Sequence, residues 1–271
     1  MLTWTLEPEM MVDPAARIIS KDSWGPYFLF SVESPPIARR ASPGQFVMVK
    51  VSDATSPLLR RPLSLCDRRG DRFWLFFQVS GQGTALLARK EPEDRLDVIG
   101  PLGRGFRLPQ DARSRGASLL VGGGRGVAPL LFLAAEMRSK NLPVKLLYGG
   151  RTDADLPLRD KLRAENIPHA LSTDDGSRGL KGFVTELLQN ELGAAPVAGI
   201  YACGPEPMLR AVAEMAAVAS VPAQLSLESH MGCGFGACWG CVKRIRRNGE
   251  ESWVKVCEEG PVFPAEEVVW P

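Results

Sequence analysis

Four cysteines constrain this chain more than any other feature. Cys233, Cys238 and Cys241 share one glycine-rich loop with the spacing C-x4-C-x2-C, and Cys257 follows after fifteen further residues. This is the ligand spacing of a plant-type 2Fe-2S cluster, in which four thiolates converge on two bridged irons. Three ligands from one loop require a backbone that turns tightly and lies close to the sulfides. Gly232, Gly234, Gly236 and Gly240 permit that, because glycine reaches positive φ without a Cβ clash. N–H groups turned inward can then bond to sulfur and tune the potential. Two other readings of four cysteines stay open at this level. A structural zinc more often uses two C-x2-C knuckles, where this chain has one. Disulfides belong to an oxidising compartment, for which nothing in the sequence argues. A Rieske centre needs two histidines, and His169 and His230 stand in no Cys-x-His pair.

The 271 residues suffice for two domains and a small third. The net charge of +2 argues neither for nucleic acid nor for an anionic membrane surface as partner. Met1 to Val12 carries Glu7 and Glu9 with no basic residue, a poor signal peptide. Apolar runs such as Val127 to Ala135 are too short to span a bilayer. Six cysteines, four of them in a metal pattern, fit a reducing cytoplasm.

Residues 13–108 read as all-β. Tyr27–Val32, Phe46–Val51 and Arg72–Val79 are short β-branched or aromatic runs bounded by Pro, Gly or Asp. Ser34-Pro35-Pro36 and Ser42-Pro43-Gly44 read as turns, and a small antiparallel barrel is the architecture expected. Inside it, Arg61-Pro62-Leu63-Ser64 is a strand suited to a flavin. Pro62 cannot donate a ladder hydrogen bond, Arg61 offers a planar fork for phosphate, and Ser64 can bond to a ring edge. The alternative is an edge strand with a surface arginine. The strand Phe76-Phe77-Gln78 runs into Gly81-Gln82-Gly83-Thr84 and a helix expected at Ala85 to Arg89, where Gly83 and Thr84 can meet a pyrophosphate. Gly100-Pro101-Leu102-Gly103 reads as a closing turn.

Residues 109–116 are polar and read as a linker. From Ala117 the pattern changes to alternating strands (Ser118–Val121, Val144–Tyr148, His169–Ser172, Gly199–Cys203) and helices (Val127–Lys140, Leu158–Glu165, Phe183–Asn190, Glu206–Val218), which predicts a doubly wound parallel sheet over 117–220. The first strand ends in Gly122-Gly123-Gly124-Arg125-Gly126, not the G-x-G-x-x-G fingerprint. Gly123, Gly124 and Gly126 still let a phosphate approach a helix N-terminus, or form a tight turn and nothing more. No carboxylate sits where a Rossmann fold would hold the ribose 2′-OH, and Arg151 after the second strand suits a 2′-phosphate, so the motif leaves NAD and NADP undecided. Cys203-Gly204-Pro205 ends a strand at the usual ligand edge of such a sheet. Cys203 can sit beside a nicotinamide there, or be a buried small hydrophobe. Cys66 and His169 read as structural. Residues 221–271 form the cluster unit, with a hairpin of Val242–Ile245 and Trp253–Val256 around Asn248-Gly249.

Nicotinamide exchanges electrons in pairs and a 2Fe-2S cluster singly; a flavin does both, so the three signals make one path. The motifs together, Arg61-Pro62-Leu63-Ser64, Gly122 to Pro129, Ser172-Thr173-Asp174-Asp175-Gly176-Ser177, Tyr201 to Pro205, and Glu228 to Cys241 with Val256 to Phe263, resemble the electron-transfer subunit of NAD-dependent (class 1B) dihydroorotate dehydrogenase, within the ferredoxin-NADP reductase type. The similarity covers the chain beyond its first dozen residues. The resemblance implies FAD on the barrel, held by Arg61 to Ser64, Phe76 to Gln78, Gly83 and Thr84. It implies NAD on the parallel sheet, at the glycine turn, Asp174, Asp175, Gly204 and Pro205, and a cluster on Cys233, Cys238, Cys241 and Cys257. Cys203 and Glu228 are the catalytic candidates, lining the region of flavin N5. The resemblance also implies an FMN-containing catalytic partner and a heterotetramer of two catalytic and two electron-transfer subunits. Related chains serve hydrogenases or sulfite reductases instead. Arg125 stands where the family has an apolar residue, and His230 and Trp239 flank the cluster ligands. A zinc-stabilised binding module without electron transfer is the contrasting reading.

Overall fold

A computed structural model describes residues 10–109 and 116–271. Most of the N-terminal extension and of the expected linker thus lies outside the described residues. Six strands, β1 (Val12–Trp24), β2 (Tyr27–Glu33), β3 (Phe46–Lys50), β4 (Arg61–Arg69), β5 (Arg72–Gln78) and β6 (Arg95–Leu102), close into an antiparallel barrel in the order β1-β2-β5-β4-β3-β6. Bulges in β1, near Ser20 and Ala16, break its alternation, which is why the sequence pattern singles out no strand before Tyr27. Two expected turns are corrected. Gly100–Leu102 belongs to β6, because the register shift between Phe46 and Met48 absorbs Pro101 at an irregular position. Pro35 and Pro36 open a short helix, α1 (Pro35–Ala38), where proline at the first positions is tolerated. The next helix, α2 (Gln82–Ala88), starts earlier than the expected Ala85, so Gly83 and Thr84 lie within its first turn.

The second layer system is a seven-stranded sheet. Its parallel strands are β7 (Ala117–Gly123), β8 (Val144–Gly150), β9 (His169–Thr173), β10 (Leu180–Lys181), β11 (Val197–Cys203) and β12 (Ala223–Ser226), and its helices are α3 (Val127–Ser139), α4 (Arg159–Ala164), α5 (Val184–Ala194) and α6 (Glu206–Val218). Gly122 and Gly123 complete β7, and only Gly124–Gly126 form the turn into α3. A helix apolar on every side is one buried on every side. Such is α3 from Val127 to Ala134: its Phe132 packs into the barrel core, while its Leu130, Leu131 and Leu133 pack with the sheet residues Leu120, Leu146 and Tyr148. It is the joint between barrel and sheet.

The cysteine loop leads into β13 (Val242–Arg247) and β14 (Glu250–Lys255), paired through the left-handed turn Asn248-Gly249 (φ 52° and 83°). After a short helix, α7 (Val256–Glu259), the strand β15 (Val262–Pro264) runs antiparallel to β12 on the sheet edge. The sheet therefore continues past residue 220 and takes its last strand, β15, from within the segment 221–271.

Candidate functional site

The barrel opens where two of its strands part. β4 pairs with β5 only from Leu65 onward, so Arg61–Ser64 and Phe76–Gln78 have no ladder partner across the gap. A cleft of about 1000 Å³ enters there. Arg61, Pro62, Leu63 and Ser64 line it from one side, and Phe76, Phe77 and Gln78 from the other. Arg61 Nη1 donates to the Leu59 carbonyl, and its guanidinium lies over Gly83: a Cβ at Gly83 would stand 2.0 Å from Arg61 Nε. A side chain at Gly83 would displace the guanidinium from this position. Gly83 and Thr84 both line the cleft, but the Thr84 hydroxyl is spent locally, donating to the Gly81 carbonyl (3.1 Å) and accepting the Ser80 N–H (2.9 Å). An apolar slot edged by Ser64, Gln78 and the Arg61 guanidinium suits a flat ring system carrying phosphate.

A second cleft, about 680 Å³, lies at the C-terminal edge of the parallel strands, the ligand edge of such sheets. Gly123, Gly124 and Gly126 line it at the start of α3, with Asp174 after β9 and Pro205 after β11. Gly204 supports it from behind, since a Cβ there would meet Met208 Cε at 2.7 Å and the Gly123 nitrogen at 3.1 Å. Asp175 lines neither cleft; its carboxylate accepts the Ser177 N–H (2.9 Å) and hydroxyl (2.6 Å) and closes the turn after β9. Sequence reasoning missed one cluster here. Asp155 accepts the hydroxyl of Tyr27, a barrel residue, at 2.7 Å and pairs with Arg151 at 3.4 Å, so the barrel itself fixes the wall of the second cleft. Burial, then the Asp155 carboxylate, pushes the Tyr27 phenol up to about 12. The carboxylate lies four residues beyond Arg151 and its partner more than a hundred residues away, so no local signal marks it.

The two clefts meet. Gln78, Arg125, Gly126 and Glu228 line both, whereas Cys203 lines only the first. Cys203 is buried, and burial, reinforced by the Glu228 charge, pushes its thiol up to about 12. It is a neutral hydrogen-bonding group at physiological pH, not a nucleophile. Glu228 is exposed at the shared edge, and His230 lines the first cleft rather than the cysteine loop.

Three of the four cysteine sulfurs accept backbone N–H groups. Cys257 Sγ accepts the Gly236 N–H (3.2 Å), Cys241 Sγ accepts the Cys257 N–H (3.4 Å), and Cys238 Sγ accepts the Gly240 N–H (3.4 Å). Burial raises the Cys233 thiol, but the N–H groups of Phe235, Cys238 and Ala237 outweigh it and bring the thiol down to about 7. Among the described residues, no three His, Cys, Asp or Glu side chains are grouped round a single metal position. Four soft sulfur donors supported by backbone N–H groups suit an iron–sulfur cluster. Gly234 and Gly236 take φ of +84° and +87°, as wrapping requires. In the cluster-free protein, a short exposure to iodoacetamide at pH 8 is expected to label Cys233 and Cys238, leaving the buried Cys66 and Cys203 unmodified until unfolding. Peptide mass spectrometry reads this directly, and early labelling of Cys203 would contradict its burial.

A splayed barrel on a parallel nucleotide sheet, followed by a cysteine unit, defines a reductase-type electron carrier. Residues 228–269 match the iron–sulfur cluster binding domain of dihydroorotate dehydrogenase B, and residues 120–214 match the oxidoreductase NAD-binding domain. The chain is 40% identical over 246 residues to the electron transfer subunit of dihydroorotate dehydrogenase B (NAD(+)) of Desulforamulus reducens, covering 90% of this chain and 92% of the relative. To the subunit of the same name from Geobacillus kaustophilus it is 46% identical over 232 residues, covering 84% and 86%. Among solved structures, a chain of the NADH-dependent reduced ferredoxin-NADP oxidoreductase superposes with a TM-score of 0.81 at 29% identity, covering 95% of this chain and 91% of that one. A ferredoxin NADP+ reductase from Neisseria gonorrhoeae shares the fold (TM-score 0.64, 20% identity, covering 78% and 92%). The chain belongs to the family of electron transfer subunits of NAD(+)-linked dihydroorotate dehydrogenase B.

Proposed function

We propose that this chain takes electrons from an FMN-containing dihydroorotate dehydrogenase catalytic subunit and delivers them to NAD⁺ in pyrimidine biosynthesis. A bound FAD joins the one-electron chemistry of a 2Fe-2S cluster to the two-electron hydride exchange of nicotinamide. The observation that carries this reading is the meeting of the two clefts at Gln78, Arg125, Gly126 and Glu228, which lets ligands of the two touch. Arg61 would hold phosphate, with Gly83 leaving it room. Leu63, Phe76 and Phe77 would bury the ring, and Ser64 and Gln78 would bond to its edge. Cys203, kept neutral, and Glu228 would line the place where flavin and nicotinamide meet. Gly123, Gly124, Gly126, Asp174 and Pro205 would take the nicotinamide nucleotide. Cys233, Cys238, Cys241 and Cys257 would hold the cluster.

The three units would be 13–108 for FAD, 117–220 for NAD and 221–271 for the cluster, the last also lending β12 and β15 to the edge of the NAD sheet. The assembly would be two catalytic with two electron-transfer subunits in the cytoplasm; among the described residues no helix is long and apolar enough to cross a membrane. An anaerobic visible spectrum tests the reading. Flavin and iron–sulfur absorbance should bleach with NADH, and should bleach with dihydroorotate only once the catalytic subunit is added. A protein that takes up FAD and iron yet shows no bleaching would overturn it.

A further inference from the structure

The barrel supplies only part of the first cleft. Its other wall comes from the β13–β14 hairpin, through Lys243, Arg244 and Trp253, and from the segment Val268–Pro271, with Trp270. We infer that this wall is the adenylate subsite: Arg244 and Trp270 hold the adenosine-phosphate end of the flavin dinucleotide and make the site selective for FAD over FMN. This rests on the flavin reading above.

Three observations carry it. First, the barrel lines the cleft with one cation, Arg61, and with aromatic rings already buried, Phe76 at 3% and Phe77 at 2% exposed. Those provide for a ring and one phosphate. A dinucleotide also brings a second phosphate and a purine, which need another cation and an aromatic face left open. Second, the opposite wall has both. Trp253 is 61% exposed, Trp270 is only partly packed on the core, and Arg244 lies 6.0 Å from the Trp253 ring centre with one long contact to Glu251 (3.4 Å). Lys243 by contrast is closely paired with Glu206 at 2.7 Å. Third, the segment is fixed before any ligand arrives. The Val269 N–H donates to the Arg244 carbonyl (3.2 Å), Val268 bridges to Ile245, and Arg247 binds Glu267 (2.7 Å) and Glu259 (2.9 Å). A wall so preorganised loses little ordering entropy on binding.

The full-length chain, stripped of flavin, is titrated with FAD and with FMN by flavin fluorescence, as the parent and as Arg244→Ala, Trp270→Ala and Trp270→Phe. The parent should bind FAD more tightly than FMN, with AMP competing against FAD alone. Loss of one stacked base contact weakens binding by about tenfold or more. Arg244→Ala and Trp270→Ala should therefore raise the FAD dissociation constant by that factor and leave that of FMN unchanged, and Trp270→Phe should retain FAD. Unchanged FAD binding in both alanine variants overturns the inference. So does equal weakening of FAD and FMN, which would mark a general effect on the fold. A parent that prefers FMN also overturns it, whereas a parent that binds neither flavin overturns the flavin reading itself.

Discussion

Replacing Cys241 with serine is expected to abolish the iron–sulfur chromophore while leaving NADH-driven flavin bleaching close to that of the parent. Cys241 is buried, and its Sγ accepts the Cys257 N–H, so it ties two ligands of the set together. Serine puts a hard oxygen where a soft thiolate is needed. Substituting groups that merely support metal ligands costs about 10–100-fold, so losing a ligand should cut electron delivery from the catalytic partner by on the order of a hundredfold or more. The second cleft and its junction with the first contain none of the four cysteines, which is why the flavin–nicotinamide half-reaction should survive. Visible and electron paramagnetic resonance spectra report the cluster, and stopped-flow bleaching reports each half. Partner-driven reduction at the parental rate would remove the cluster from the path.

Changing Gly126 to alanine is expected to damage both clefts at once. The added Cβ would stand 2.0 Å from the Cys203 carbonyl oxygen. That oxygen cannot give way, because β11 is held on one side by β7, Cys203 opposite Gly122, and on the other by β12, Cys203 opposite Ser226. The start of α3 must lift instead, at about 1–3 kcal/mol, the usual cost of overpacking. A lower denaturation midpoint and a raised KM for NADH should appear together. Gly124→Ala makes the control: a Cβ there meets open space, and only its φ of +53° opposes the change, at about 1–2 kcal/mol. If Gly126→Ala left NADH kinetics untouched, the junction would not be where the two ligands meet.

The cysteine spacing, the Arg61–Ser64 strand and the alternating elements after Ala117 were all legible in the sequence, because each depends on neighbours within a few residues. What was hidden depends on distant pairing. Gly100–Leu102 looks like a turn until Leu102 is set opposite Phe46. Val262–Pro264 has no strand pattern of its own and becomes one only against β12. The Thr84 hydroxyl, an apparent phosphate ligand, is taken by Ser80 and Gly81, and Asp175 by Ser177. Short polar side chains favour such local backbone partners, and the motif does not tell which ones are already engaged. The Tyr27–Asp155 contact joins residues 128 positions apart and leaves no trace in either local sequence.

The cysteine unit is fastened to both of its neighbours. β15 is a strand of the parallel sheet, Gly234 sits so close to the barrel that a Cβ would stand 2.3 Å from Met48 Cγ, and the Arg104 N–H reaches the Gly260 carbonyl at 2.5 Å. Many multicentre redox proteins carry charge on a tethered arm that swings between stations, and their turnover then follows solvent viscosity and linker length. Among the described residues, the cysteine unit is held at three places and forms no such arm. Sulfurs held in this way keep one separation from the barrel, so electron transfer through a cluster there is expected to be insensitive to solvent viscosity.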